Sequence, residues 1–84
     1  MSLWKTPEYP GAPVRYLRLK RNNRVGFISI SLHGDFALIM HALPDVECKP
    51  EWRATSYAAD EVFERFVAAA YETGWQNWTG AENG

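Results

Sequence analysis

A single cysteine, Cys48, leaves this chain no way to form an internal disulfide. Small secreted domains lean on such bridges, so the expected setting is a reducing one, the cytoplasm. No apolar run approaches the roughly 20 residues a membrane-spanning helix needs, and no charged-then-apolar leader opens the sequence. Asn77-Trp78-Thr79 matches a glycosylation acceptor and is read as chance in a chain without such a leader. Gly11, Gly26 and Gly34 stand alone, so there is no glycine-rich phosphate loop. Metal ligands are scarce: His33, His41, Cys48 and Asp35 lack the close paired spacing of zinc sites. Cys48 with either histidine could make a nucleophile–base pair, but no acid is fixed to orient the base. The carboxylate pairs Asp60/Glu61 and Asp45/Glu47 fall on a helix start and in a loop, where solvation is the ordinary fate of such groups. The expectation is a chain that is not an enzyme and that uses no metal and no cofactor.

What the sequence does hold is aromatic surface. Four Trp, four Tyr and four Phe occur in only 84 residues. Each large ring buries roughly 150–250 Å², which compensates for the thin core of so short a chain. Apolar residues at 46% and charged residues at 23% match a folded domain rather than a disordered one. The net charge of −1 conceals a split. Residues 1–34 carry six basic side chains against Glu8, whereas residues 35–84 carry nine acids against Lys49, Arg53 and Arg65. The chain is electrically two-ended.

The order of elements follows from periodicity and punctuation. Three prolines at 7, 10 and 13 predict an extended N-terminal arm over 1–13, with Trp4 and Tyr9 to pin it. A single α+β domain over 14–78 follows, and then a flexible tail at 79–84. Leu17 and Leu19 alternate with Tyr16, Arg18 and Lys20, as a half-buried strand requires. Asn22-Asn23 predicts a two-residue type I′ turn that pairs Arg21 with Arg24, Leu19 with Gly26 and Leu17 with Ile28. The second strand runs from Val25 to Leu32, with Ile28, Ile30 and Leu32 inward and Phe27, Ser29 and Ser31 outward. A three-residue loop at His33-Gly34-Asp35 pairs Leu32 with Phe36, Ile30 with Leu38 and Ile28 with Met40, matching apolar with apolar. A two-residue loop would set Ser31 against Leu38 and Ser29 against Met40. The third strand extends from Phe36 to about Leu43 and leaves Ala37, Ile39 and His41 on the outer face. A fourth strand is an open alternative at residues 45–49, and Trp52 is expected to fold back onto the core.

The helix is the clearest element. Thr55 or Ser56 caps it, and Asp60 and Glu61 sit in its first turns. Ala59, Val62, Phe63, Phe66, Val67, Ala70 and Tyr71 form one apolar stripe. Glu61 and Arg65 are an i, i+4 pair, and Gly74 stands at the C-terminal cap position. The expected fold is therefore a three-stranded, alternatively four-stranded, antiparallel meander packed on one C-terminal amphipathic helix.

Two surfaces could bind. Asp60, Glu61, Glu64 and Glu72 make an acidic helix face, with Trp52, Trp75 and Trp78 as anchors of the kind that dominate interfaces. This gives the first functional expectation: a small protein-binding module, an inhibitor or adaptor of phage or mobile-element type, meeting a partner with a basic surface. The alternative is a nucleic-acid-binding domain using Tyr16, Arg18, Lys20 and Phe27 on the sheet, with Arg21 and Arg24 on the basic hairpin. A homodimer joining hairpin to helix is a third option.

The three-strand-plus-helix order over about residues 14–74 resembles the DNA-binding domain of plant ethylene-response factors and the arm-binding domain of tyrosine integrases. That resemblance implies a sheet inserted in the major groove, although the factors' arginine and tryptophan signature is missing from these strands. Ser56–Trp78, with Phe66 and Glu72-Thr73-Gly74-Trp75-Gln76-Asn77-Trp78, resembles the end of WGR domains, whose Trp-Gly-Arg triplet does not occur here.

Overall fold

The computed structural model describes residues 13–78. The expected arm, with Trp4 and Tyr9, and the expected tail at 79–84 lie outside the described residues, except that Pro13 begins the first strand. The chain runs β1 (Pro13–Arg21), β2 (Arg24–His33), β3 (Phe36–His41), β4 (Glu51–Arg53), α1 (Ser56–Glu72) and β5 (Gln76–Asn77). The strands form one antiparallel sheet in the order β4-β3-β2-β1-β5, with α1 across one face. It is an α+β meander on one helix, as expected, with five strands in place of three or four. The fourth strand is Glu51–Arg53 and not residues 45–49, and a short fifth returns along the free edge of β1.

The β1–β2 register is the one the sequence predicts, with Arg21 opposite Arg24, Leu19 opposite Gly26 and Leu17 opposite Ile28. The turn type differs. A type I′ turn needs positive φ at both central residues, and only Asn22, at 56°, has it.

The β2–β3 register corrects the expectation. His33 pairs with Phe36, so the loop is the two residues Gly34-Asp35, and Ser31 lies opposite Leu38 and Ser29 opposite Met40. Gly34 has φ of 68°, the backbone that a two-residue turn with glycine in its first central position adopts. A one-residue shift moves every side chain of a strand to the other face. Ala37 and Ile39 are therefore fully buried under the helix, and Phe36, Leu38 and Met40 face away from it. β3 is apolar on both faces, so hydrophobic matching could not discriminate, whereas the geometry of Gly34 could.

Beneath α1, Phe63 and Phe66 pack with Leu19, Ile28, Ile30 and Ile39, all 2% exposed or less. Each such side chain contributes about 1.5–3 kcal/mol relative to exposure. The predicted stripe holds except for Tyr71, which is 47% exposed and donates its hydroxyl to Asn77 Oδ1 at 2.6 Å. Arg65 hydrogen-bonds Glu51 across to β4 at 2.7 Å rather than closing the expected pair with Glu61. That bond holds the Glu51 carboxyl below its ordinary range, with Arg53 adding to the effect.

Thr55 caps α1, its Oγ1 accepting from Ala58 N at 3.1 Å. Because the helix begins at Ser56, Asp60 and Glu61 fall beyond its first turn, which carries no acid. With no first-turn carboxylate to complement the dipole, the hydroxyl is the cap. Thr55→Ala should lower stability by about 1 kcal/mol, measured by urea unfolding, while Thr55→Ser should stay within a few tenths of the parent.

At the other end, Gly74 N donates to Tyr71 O at 3.1 Å and Trp75 N to Ala70 O at 3.0 Å. These are the two bonds of a Schellman cap, with Gly74 at φ of 94°. The motif turns the chain back and delivers Trp75 into the core, where it is 1% exposed.

Candidate binding face on the outer side of the sheet

Alternation along paired strands sorts the side chains into two sets. Toward the helix lie Leu19, Ile28, Ile30, Ala37 and Ile39. Away from it lie Tyr16, Arg18 and Lys20 of β1, Val25, Phe27, Ser29, Ser31 and His33 of β2, Phe36, Leu38 and Met40 of β3, and Trp52 of β4. Gln76, opposite Lys20, extends this face onto β5, and Trp78 joins it beside Arg18.

This outer face is unusually apolar for a surface. Tyr16, Val25, Phe36 and Trp52 are each at least half exposed, and Phe27, Leu38, Met40 and Trp78 are half-buried. Tyr16 stacks on Phe27 with centroids 5.3 Å apart, and His33 meets Trp52 edge-on at 5.4 Å. The Arg18 guanidinium lies 4.0 Å from the centre of the Trp78 ring, where a cation gains from the quadrupole. Ser29 and Ser31, in the middle of the face, are buried among larger neighbours. Ser31 Oγ and His33 Nε2 are 3.1 Å apart.

Charge divides the same way. The outer strand positions carry Arg18 and Lys20 and no carboxylate. The acids predicted as a partner site lie on the helix, and two of the four, Asp60 and Glu64, meet one basic residue of the chain itself. Arg15 spans Phe63 at 4.0 Å and reaches Asp60 at 2.9 Å and Glu64 at 2.5 Å. Glu61 and Glu72 are exposed.

The three tryptophans expected to anchor that acidic face do not converge on it. Trp75 is sealed in the core. Trp52, expected to fold onto the core, is 52% exposed on the opposite side of the sheet, and Trp78 stacks there with Arg18. Tyr16, Arg18, Lys20 and Phe27 share one face as predicted, while Arg21 and Arg24 stand at the hairpin end. Sequence reasoning missed Phe36, Leu38, Met40 and Trp52 as part of this surface, and Gly34 was the signal that would have supplied the first three.

His41 meets the backbone carbonyl of Cys48, and His33 meets Ser31. His41 accepts from Leu43 N at Nδ1 (3.0 Å), which leaves its Nε2–H to donate to the carbonyl of Cys48 at 2.7 Å. Both ring nitrogens thereby tie the 42–50 connection to β3, and the ring packs edge-on against Phe66. Burial pushes the Cys48 thiol pKa up, away from the thiolate a nucleophile needs, although Arg65 pulls the other way.

Among the described residues no helix is long and apolar enough to cross a membrane. Compared with known proteins, the chain matches no family model, no curated protein and no solved structure.

Proposed function

We propose that this chain is a non-enzymatic binding module that holds single-stranded nucleic acid on the outer face of its sheet. The observation that carries the reading is the coincidence, on one face, of exposed aromatic rings with Arg18 and Lys20, where the described strand positions place no acidic residue. Every base has a π-face to stack on such rings, and every phosphate is attracted to such cations. Tyr16 on β1 and Trp52 on β4 are three strands apart, about 14 Å across the sheet at the usual strand spacing. β2 and β3 lie between them, so successive bases have separate rings to reach. At the hairpin end Arg24 adds one further positive charge, Arg21 being matched by Asp45.

The acidic-helix reading, an inhibitor or adaptor for a basic protein surface, has less to stand on. Asp60 and Glu64 already hold Arg15, and the exposed tryptophans lie on the far side of the sheet.

Fluorescence anisotropy with labelled 12-nucleotide DNA and RNA of mixed sequence, at low salt, is the test. Binding should weaken as salt rises, because phosphate contacts release counterions. Tyr16→Ala and Trp52→Ala should each weaken it by about 10-fold or more, the scale of one lost stacking contact. Glu61→Lys, on the helix side, should spare those stacking contacts. A wild-type protein that gives no salt-dependent signal would sink the proposal. Equal losses from Tyr16→Ala and Glu61→Ala would also sink it.

A further inference from the structure

The end of the β1–β2 hairpin holds a cavity of ≈ 320 Å³ lined by Arg21, Asn22, Asn23, Arg24 and Asp45. Its two arginines are held very differently. Arg21 is fixed from three directions: Nη1 donates to Thr73 O at the end of α1 (2.7 Å), Nη2 donates to Asp45 Oδ2 (2.5 Å), and the guanidinium lies 5.4 Å from the Trp75 ring centre. Arg24, directly across the strand pair, is exposed, and no described residue pairs with it. Asp45 is already matched by Arg21, so the wall carries one net positive charge, located at Arg24. Asn22 and Asn23 add two side-chain amides, each with an NH₂ donor.

We infer that this hairpin pocket is a phosphate-binding site, with Arg24 as the ligand-seeking guanidinium and Arg21 as its prefixed neighbour. A phosphate group is acceptor-only, carries one to two negative charges and fits the guanidinium fork in bidentate fashion, so it matches a wall of guanidinium and amide donors. The core-anchored Arg21 costs little entropy to use, because its side chain is ordered before anything binds. The phosphate can come from a nucleic-acid backbone, which rests on the function proposed above, or from a free phosphate compound. Arg21 and Arg24 follow the Lys20/Val25 row and alternate onto the helix side of the sheet, beside Thr73 and Trp75, so a strand stacked on Tyr16 and Phe27 would pass round the hairpin end to reach the pocket.

The experiment separates these sources. Sodium phosphate and pyrophosphate are titrated into 15N-labelled protein at constant ionic strength held with sodium chloride. The expected result is saturable shifts of the Asn22, Asn23 and Arg24 resonances. Arg24→Ala should weaken them at least tenfold, and Arg24→Lys, which keeps the charge without the fork, should fall between. In parallel, Arg24→Ala should reduce the salt dependence of 12-nucleotide binding by about one phosphate contact. Arg24 is exposed and unpaired among the described residues, so its removal leaves the fold intact. Saturable phosphate binding with no oligonucleotide binding would keep the pocket, assign it to free phosphate compounds and remove the stacking-face reading. Oligonucleotide binding with no shifts at the hairpin and no effect of Arg24→Ala would overturn the pocket and leave the stacking face standing. Shifts that do not saturate, or that Arg24→Ala leaves unchanged, would also overturn it.

Discussion

Gly26→Ala is expected to lower the unfolding free energy by about 3 kcal/mol, at the upper end of what overpacking does and a large part of the stability of so small a domain. Gly26 lies on the helix side of β2 opposite Leu19, and a Cβ there would stand 2.3 Å from the Ala42 carbonyl oxygen and 2.5 Å from Leu43 Cδ2. The leucine methyl could rotate away, but the carbonyl could not. Ala42 N donates to Phe27 O at 2.9 Å, and Leu43 N, in the same peptide as the Ala42 carbonyl, donates to His41 Nδ1 at 3.0 Å, so the peptides on both sides of Ala42 are held. Relief therefore means breaking the bond or bending β2 away from Ala42. The reason for the glycine is space and not a special dihedral, since its φ is ordinary. Two companions make the expectation discriminating. Leu43→Ala alone should cost about 2–5 kcal/mol as a core truncation, and adding it to Gly26→Ala should recover little, because the backbone clash persists. Equilibrium unfolding in urea checks each variant. A Gly26→Ala protein within 1 kcal/mol of the parent would mean that Ala42 does not pass against β2 in this way.

Trp75 gives the second large effect, and here the contrast between two substitutions matters more than either value. Trp75→Ala removes a 1%-exposed indole and should cost about 3–5 kcal/mol, enough to leave the domain largely unfolded at moderate temperature. It also strips Arg21 of the ring it packs beside, so the hairpin end should loosen. Trp75→Phe keeps much of the packing and deletes Nε1, a buried donor without a hydrogen-bond partner. Leaving such a donor unsatisfied costs about 1–3 kcal/mol, and its deletion offsets part of the cavity that phenylalanine leaves. Trp75→Phe should therefore fall within about 1.5 kcal/mol of the parent, the range of volume-conserving swaps. Thermal unfolding followed by circular dichroism distinguishes the two. If Trp75→Phe were as damaging as Trp75→Ala, the indole N–H would have to be satisfied, and the offset argued here would fail.

The burial of Trp75 was legible in the sequence, although it first reads as a surface anchor. Gly74 marks the C′ position, and a Schellman cap places the next residue against the last turn of its helix. Ala70, the acceptor of the Trp75 amide, is fully buried, so the side chain that follows the glycine is carried inward with it. The helix itself was legible for the same reason: its stripe, its Thr55 cap and its Gly74 stop are all local features.

The candidate face was half legible. Tyr16, Arg18 and Lys20 alternate strictly with Leu17 and Leu19, and Asn22-Asn23 sets the pairing with β2, so Phe27 follows onto the same side. Phe36, Leu38 and Met40 could not be assigned by pattern, because Ala37 and Ile39 are apolar too. Nor could spacing show that Arg15 would take up Asp60 and Glu64, 45 and 49 residues away.

What the sequence by itself determined is therefore the local part: one helix with its caps, the β1–β2 hairpin with its register, the succession of β1, β2, β3 and helix, and the alternation of β1. Short-range sterics and hydrogen bonding decide those features within a few residues. The face that β3 turns outward hung on the two-residue turn at Gly34, and only the tertiary structure decided where Trp52 and Trp78 emerge and which acids are already matched. The helix covers one side of the sheet with Ala37 and Ile39 beneath it, so Phe36, Leu38 and Met40 of the same strand face out, on the side that also carries Arg18 and Lys20.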